Sequence, residues 1–179
     1  MIHDSELLDK LADLPREAFA GRVYRATRKR LDPLLTSRSG GRWMPPGGAG
    51  VLYTSFEREG ALAEICFHWS QWTPRPSKPA TIHTLNVVAD RTLKLVRANL
   101  EELGVAAGDY EAVNLPRTQQ IGAAVEFLGC DGLIVPSARW ACDNLILFPD
   151  SADFRGTLVA ELEEDVDWLK WGKEKKLVD

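Results

Sequence analysis

The sequence predicts a single α+β domain built on a mixed sheet. Strand-like and helix-like stretches are interspersed along the chain, yet without a regular βαβ rhythm. No glycine fingerprint follows the first strand, which sets aside a doubly wound dinucleotide fold. No repeat, low-complexity tract or clear linker divides the 179 residues, a length that suits one domain with a sizeable core.

The elements follow in order. Leu7, Leu8, Leu11 and Leu14 recur at helical spacing behind Asp4 or Ser5, and Pro15 closes that helix. Val23 to Thr27 reads as a short strand with Tyr24 and Arg25 on opposite faces. An irregular stretch follows, punctuated by Pro33, Gly40-Gly41 and Pro45-Pro46-Gly47-Gly48; a loop this long inside a compact domain is more often functional than idle. Val51 to Thr54 is a second strand. Thr54 and Glu57 have the spacing of a capping box, which opens a helix running to about Trp69. Ala61, Leu62, Ile65, Cys66 and Trp69 mark its buried stripe, and Glu64 borders that stripe.

Beyond a proline-rich connection, residues 81–87 and 92–96 predict two further strands. Leu100 and Leu103 suggest a short helix stopped by Gly104. Ile121, Ala124, Val125 and Leu128 place a helix over residues 117–128, with Gly129 as its terminator. Two apolar strands, 132–135 and 144–148, enclose the loop 136–143. A last strand at about 157–162 gives way to a charged tail carrying Trp168 and Trp171. The core of the domain is expected over about 22–162.

Composition narrows the function classes. Hydrophobic residues make up 45% and charged residues 27%, ordinary for a soluble globular protein. A net charge of −4 argues against nucleic-acid binding as the main activity. Arg22, Arg25, Arg28, Lys29 and Arg30 do cluster, either as a solvated basic patch or with one of them gripping an anion. Cys66, Cys130 and Cys142 are odd in number and widely spaced, as in a reducing compartment, and show no metal-site spacing. Neither a signal peptide nor a membrane span is visible, so a cytoplasmic location is expected.

The stretch 37–64 sets an arginine (Arg42), an aromatic ring (Tyr53) and a carboxylate (Glu64) on adjacent elements. Glu64 lies among apolar neighbours, where an ionised group needs a partner or a purpose. Ser137 sits in a turn between two apolar strands. It lacks the setting of a serine-hydrolase nucleophile. Taken singly, Arg25 and Arg42 also read as surface cations, Tyr53 as a strand aromatic, and Ser137 as a turn residue.

Four segments together resemble the RES domain family, named for an arginine, a glutamate and a serine. They are VYRAT around Arg25, GGRWMPPG followed by VLYTS, ALAE ending in Glu64, and GLIVPSARW with the downstream NLILFP. The resemblance spans about residues 22–149 and implies an ADP-ribosyltransferase-like fold with a mixed, mostly antiparallel sheet. It puts the catalytic triad at Arg25, Glu64 and Ser137. It puts NAD+ contacts at Arg25, Arg42, Tyr53, Ser137 and Asn144. Met44 stands where the family commonly has asparagine.

The resemblance further implies a toxin of a toxin–antitoxin pair that cleaves the nicotinamide–ribose bond of NAD+, the acceptor being water or phosphate. NAD+ is then a substrate, and neither cofactor nor metal is expected. The implied partner is an Xre-type helix-turn-helix antitoxin, with homodimerisation left open. The implied roles suit the residue types. Glu64 would stabilise an oxocarbenium-like ribose. Arg25 and Arg42 would fork onto the pyrophosphate. Tyr53 would stack on nicotinamide, and Ser137 would bond its ribose or amide. Three alternatives stay open: ADP-ribosyl transfer to a protein, a non-catalytic nucleotide-binding module, and an unrelated α+β domain in which Arg25, Glu64 and Ser137 lie apart.

Overall fold

The backbone hydrogen-bond ladders close five strands into a ring, with a sixth strand added at one side. The computed structural model describes residues 3–112, 116–154 and 156–179. In chain order the elements are α1 (Ser5–Ala12), β1 (Arg16–Arg28), β2 (Leu52–Ser55), α2 (Arg58–Ser70), β3 (Ala80–Lys94) and α3 (Arg97–Glu102). There follow α4 (Ala107–Glu111), α5 (Pro116–Phe127), β4 (Gly132–Pro136), β5 (Asp143–Leu147), β6 (Leu158–Val166) and α6 (Trp168–Glu174).

Around the ring β1 pairs with β2, β2 with β5 and β5 with β4, all antiparallel. β4 runs parallel to the end of β3, and β3 returns antiparallel to β1 along nearly its whole length. β6 lies antiparallel to the first half of β3. The sheet is therefore mixed and mostly antiparallel, the α+β architecture expected from the sequence. The one parallel pair needs a crossover, and α3, α4 and α5 supply it.

The short central strands are apolar on both faces because both faces are covered. Leu52, Leu145, Leu147 and Ile134 turn into the ring with Val23, Leu85 and Val87. The alternate residues Val51, Ile146, Leu133 and Val135 turn outward onto α1 and α5. A third cluster joins α2 to α6 through Cys66, Trp69 and Trp168. Asp4 caps α1 by accepting the Glu6 amide at 3.0 Å, as its sequence suggests.

Several expectations are corrected. β1 begins at Arg16, well before Val23, because its first half is held by backbone pairing to β3 rather than by an apolar pattern. The two strands expected over 81–96 are one continuous β3. Its polar middle, Asp90-Arg91, survives because the Asp131 carboxylate accepts both backbone amides, at 2.7 and 2.9 Å. The capping box does not form: the Thr54 hydroxyl donates to the Leu145 carbonyl at 2.7 Å, inside the sheet. Glu57 is the N-cap of α2 without a side-chain bond and instead accepts the Trp140 indole at 3.1 Å. The segment read as a charged tail folds as α6, and Trp168 is buried. The basic patch of β1 is partly neutralised across β3, since Arg22 reaches Glu161 and Lys29 reaches Asp165 on β6.

α5 lies against the irregular loop at Gly122, where a Cβ would fall 1.8 Å from the Trp43 carbonyl oxygen. Helix propensity alone favours alanine over glycine by about 1 kcal/mol. Overpacking against backbone costs typically about 1–3 kcal/mol, so Gly122→Ala is expected to destabilise the protein. Gly108, whose added Cβ would meet nothing within 4 Å, should tolerate alanine. Urea unfolding midpoints of the two variants check both signs.

Candidate active site

A cleft of about 300 Å³ opens on the outer face of β2 and β5, walled by α2 and the loop that carries Arg42. That volume lies at the lower end of the range for ligand pockets. Register builds the floor. Tyr53 pairs with Ile146 and Ser55 with Asn144, so all four residues face the same side. Arg25, Arg42, Tyr53, Glu64 and Asn144 all line this cleft.

Glu64 projects from the middle of α2. Its Oε1 accepts the Ser137 hydroxyl at 2.9 Å and the Asn144 amide Nδ2 at 2.9 Å. The Asn144 amide is oriented by Ser55, whose hydroxyl donates to its Oδ1. Both donors are neutral, so they hold the carboxylate in place without cancelling its charge. Both also go to one oxygen. Among the described residues none donates to Oε2, which is left for a ligand.

Ser137 is buried and does not itself line the cleft. Its hydroxyl proton goes to Glu64, and its oxygen accepts the backbone amides of Arg139 at 3.1 Å and Trp140 at 3.2 Å. A hydroxyl has one donor and two acceptor sites, so this one is fully used. The structure thus joins Ser137 to Glu64 but gives it the position of a brace behind the carboxylate.

The two arginines singled out from the sequence are engaged with the chain. Arg25 donates to the Pro33 carbonyl and, at 2.9 Å, to the Leu35 carbonyl. Burial brings its pKa down to about 10, with Asp32 opposing. Arg42 donates to the Tyr110 carbonyl at 2.6 Å and the Ala112 carbonyl at 3.3 Å, and lies over the Tyr110 ring. Tyr53 lies under the Gly-Gly turn. Its hydroxyl accepts the Trp43 amide at 3.3 Å, and a Cβ on Gly41 would come within 2.5 Å of it. Burial pushes the Tyr53 phenol up to about 12, so it stays neutral. Met44 turns away from the cleft into the core, where an apolar side chain belongs.

The structure adds residues that were not singled out from the sequence. His68, one helical turn beyond Glu64, stands at the rim; desolvation lowers its pKa, Glu64 opposes this, and Arg139 and Arg42 add to it. Helical spacing from Glu64 would have found it. Tyr110 closes one wall and comes from a short helix far along the chain. Arg139 enters beside Phe67. Among the described residues no three His, Cys, Asp or Glu side chains gather as a metal site.

Ser137→Ala would leave Asn144 as the remaining side-chain donor to Glu64 and strip two amides of their acceptor. It should fold with a loss of about 1–3 kcal/mol, read from urea denaturation. Asn144→Asp sets a second carboxylate against the first. That pair shares a proton at low pH and repels once both ionise, so thermal stability should fall as pH rises from 5 to 8.

The family model described as RES domain matches residues 22–169. Among curated proteins no relative matches. A solved structure, the crystal structure of the M. tuberculosis MbcT–MbcA toxin–antitoxin complex, contains a chain of the same fold. It superposes with a TM-score of 0.81 at 21% identity, over 95% of this chain and 97% of that one. With the family model spanning most of its length, the chain belongs to the RES domain family.

Proposed function

We propose that this protein is the toxin of a toxin–antitoxin pair and that it cleaves the nicotinamide–ribose bond of NAD+. The observation that carries this is Glu64: a carboxylate on the lining of a cleft walled by tyrosines and arginines, fixed through one oxygen by Ser137 and Asn144 and, among the described residues, with no donor to the other. Family membership supports the reading, as does a fold shared with a chain from a toxin–antitoxin complex.

The cleft's size suits one end of a dinucleotide, with the nicotinamide ribose inside. As the C1′–N bond breaks, its electron pair passes to the pyridinium nitrogen and nicotinamide leaves neutral, so no strong general acid is needed. Positive charge then develops on C1′ and the ring oxygen of the ribose. Glu64 Oε2 lies where it can stabilise that charge or hold a ribose hydroxyl, and it is preorganised to do so. Water or phosphate completes the reaction by bonding to C1′, a water nucleophile releasing its proton to solvent. Tyr53 and Tyr110 supply apolar walls for the nicotinamide ring. Ser137 acts by positioning Glu64. Arg25 and Arg42 keep the wall loop in place and add positive potential for the phosphates.

The partner in this reading is a helix-turn-helix antitoxin of the Xre type that covers the cleft. Among the described residues no helix is long and apolar enough to cross a membrane. The reading places the protein in the cytoplasm with its NAD+.

Purified protein should release nicotinamide from NAD+, followed by chromatography with mass spectrometry of the products. In Glu64→Gln the amide oxygen can still accept from Ser137 and Asn144, so the fold should persist while the rate drops by about 10²–10³ or more. Free ADP-ribose or its phosphate identifies the acceptor as water or phosphate. A labelled protein band from a lysate would establish transfer to a macromolecule instead. NAD+ left intact under all three conditions would overturn the reading.

A further inference from the structure

Arg139 lies two residues beyond Ser137 in the loop between β4 and β5, and it lines the cleft. Its guanidinium carbon is 3.4 Å from the centre of the Phe67 ring, one helical turn along α2 from Glu64. Stacking fixes the guanidinium plane and leaves its N–H edge to find acceptors. That edge is unsatisfied: Nη2 is buried and, among the described residues, has no hydrogen-bond partner. Arg25 and Arg42, by contrast, each donate to two backbone carbonyls.

An unmet buried donor on a charged group is costly, and a bound acceptor reverses that cost. The surroundings indicate what acceptor fits. Arg42 adds a second positive charge felt at Arg139, while Glu64 and Glu111 pull the other way. Two guanidinium groups lining one cleft call for an anion with several oxygens, not a sugar hydroxyl. Glu64 and Phe67 are separated by about 5 Å along the helix. A ribose bound against Glu64 would thus set its 5′ phosphate beside the stacked guanidinium.

We propose that Arg139 is the residue that grips the pyrophosphate of the dinucleotide whose nicotinamide ribose lies against Glu64. The assignment rests on the NAD+ reading above for the identity of the ligand. It moves the main phosphate contact from Arg25 and Arg42 to a residue of the β4–β5 loop. Because Ser137 Oγ accepts the Arg139 amide, one short loop both braces the carboxylate and aims the cation. Substrate grip and charge stabilisation are thereby set at a fixed spacing.

The test uses ADP-ribose as a binding probe, with NAD+ and nicotinamide riboside as substrates that do and do not carry the pyrophosphate. By calorimetry, Arg139→Gln should weaken ADP-ribose binding about 10- to 100-fold. Arg139→Lys, which keeps the charge but loses the fork, should weaken it less. The ratio of kcat/KM for NAD+ over nicotinamide riboside should fall by a similar factor in Arg139→Gln, mainly through KM. Unchanged ADP-ribose affinity in Arg139→Gln, or equal losses on both substrates, would overturn the assignment. So would wild-type protein that binds no ADP-ribose. If wild-type protein cleaves neither substrate yet binds ADP-ribose through Arg139, the reaction falls and the pyrophosphate site stands. Should Arg139→Gln fail to fold, Arg139→Lys decides by the same comparison: several-fold weaker ADP-ribose binding sustains the assignment, and unchanged binding overturns it.

Discussion

The site depends on one carboxylate held by one of its oxygens. Glu64 belongs to α2, Asn144 to β5 and Ser137 to the turn after β4, so three separate segments meet at a single atom. The sheet makes the meeting reproducible. β5 lies between β2 and β4, with Asn144 opposite Ser55 on one side and Val135 on the other. A slip of one residue in β5 would turn Asn144 toward the interior and an apolar neighbour toward Glu64. The hydrophobic pattern forbids that slip, because Leu145 and Leu147 fill the ring and Ile146 the outer core. Core packing thus fixes the position of a polar site, and core residues such as Trp43, Tyr110 and Ile146 also line its cleft.

The loop between β1 and β2 poses a different problem. It has few ladder hydrogen bonds of its own, yet it forms a wall of the cleft. Its carbonyls and amides need partners from elsewhere. Arg25 supplies donors to the Pro33 and Leu35 carbonyls. Asp150 accepts the Gly50 amide at 2.7 Å and also pairs with Arg38. Gln119 of α5 donates to the Gly41 carbonyl at 3.0 Å, and Gly122 lets that helix come close. The loop is therefore held as part of the domain, and Arg42 can in turn fasten α4 across the opening.

This explains which features were legible in the sequence. Helices with apolar residues at helical spacing announce themselves by period, and strands buried on both faces by a short continuous apolar run. So α1, α2, α5, β4 and β5 were found close to their observed bounds. β1 is cut short and β3 split in two in the sequence reading, because the first half of β1 and the Asp90-Arg91 stretch of β3 are held by backbone hydrogen bonds that side-chain pattern does not record. Five of the six expected site residues line one cleft and the sixth, Ser137, braces it, a convergence that the motifs signalled and the spacing could not. What stayed hidden was direction. Nothing in VYRAT or GGRW says that Arg25 and Arg42 turn to backbone carbonyls. Nothing in PSARW says that Arg139 stacks on a ring from another element.

Direction matters because the proposed chemistry moves charge over a short distance. In bound NAD+ the positive charge sits on the nicotinamide ring; as the C1′–N bond breaks it moves onto the ribose. A carboxylate attracts cations in both states, so it accelerates the step only by lying nearer the ribose than the ring. A freely rotating glutamate would follow the charge and lose that difference. With Oε1 bound to Ser137 and Asn144, the carboxylate cannot turn without breaking two hydrogen bonds. Its other oxygen is thereby held in one place. Such preorganisation avoids reorganisation at the moment of reaction. Under the proposed chemistry, the serine that the family resemblance puts in the catalytic triad is more useful as the clamp that keeps Glu64 still.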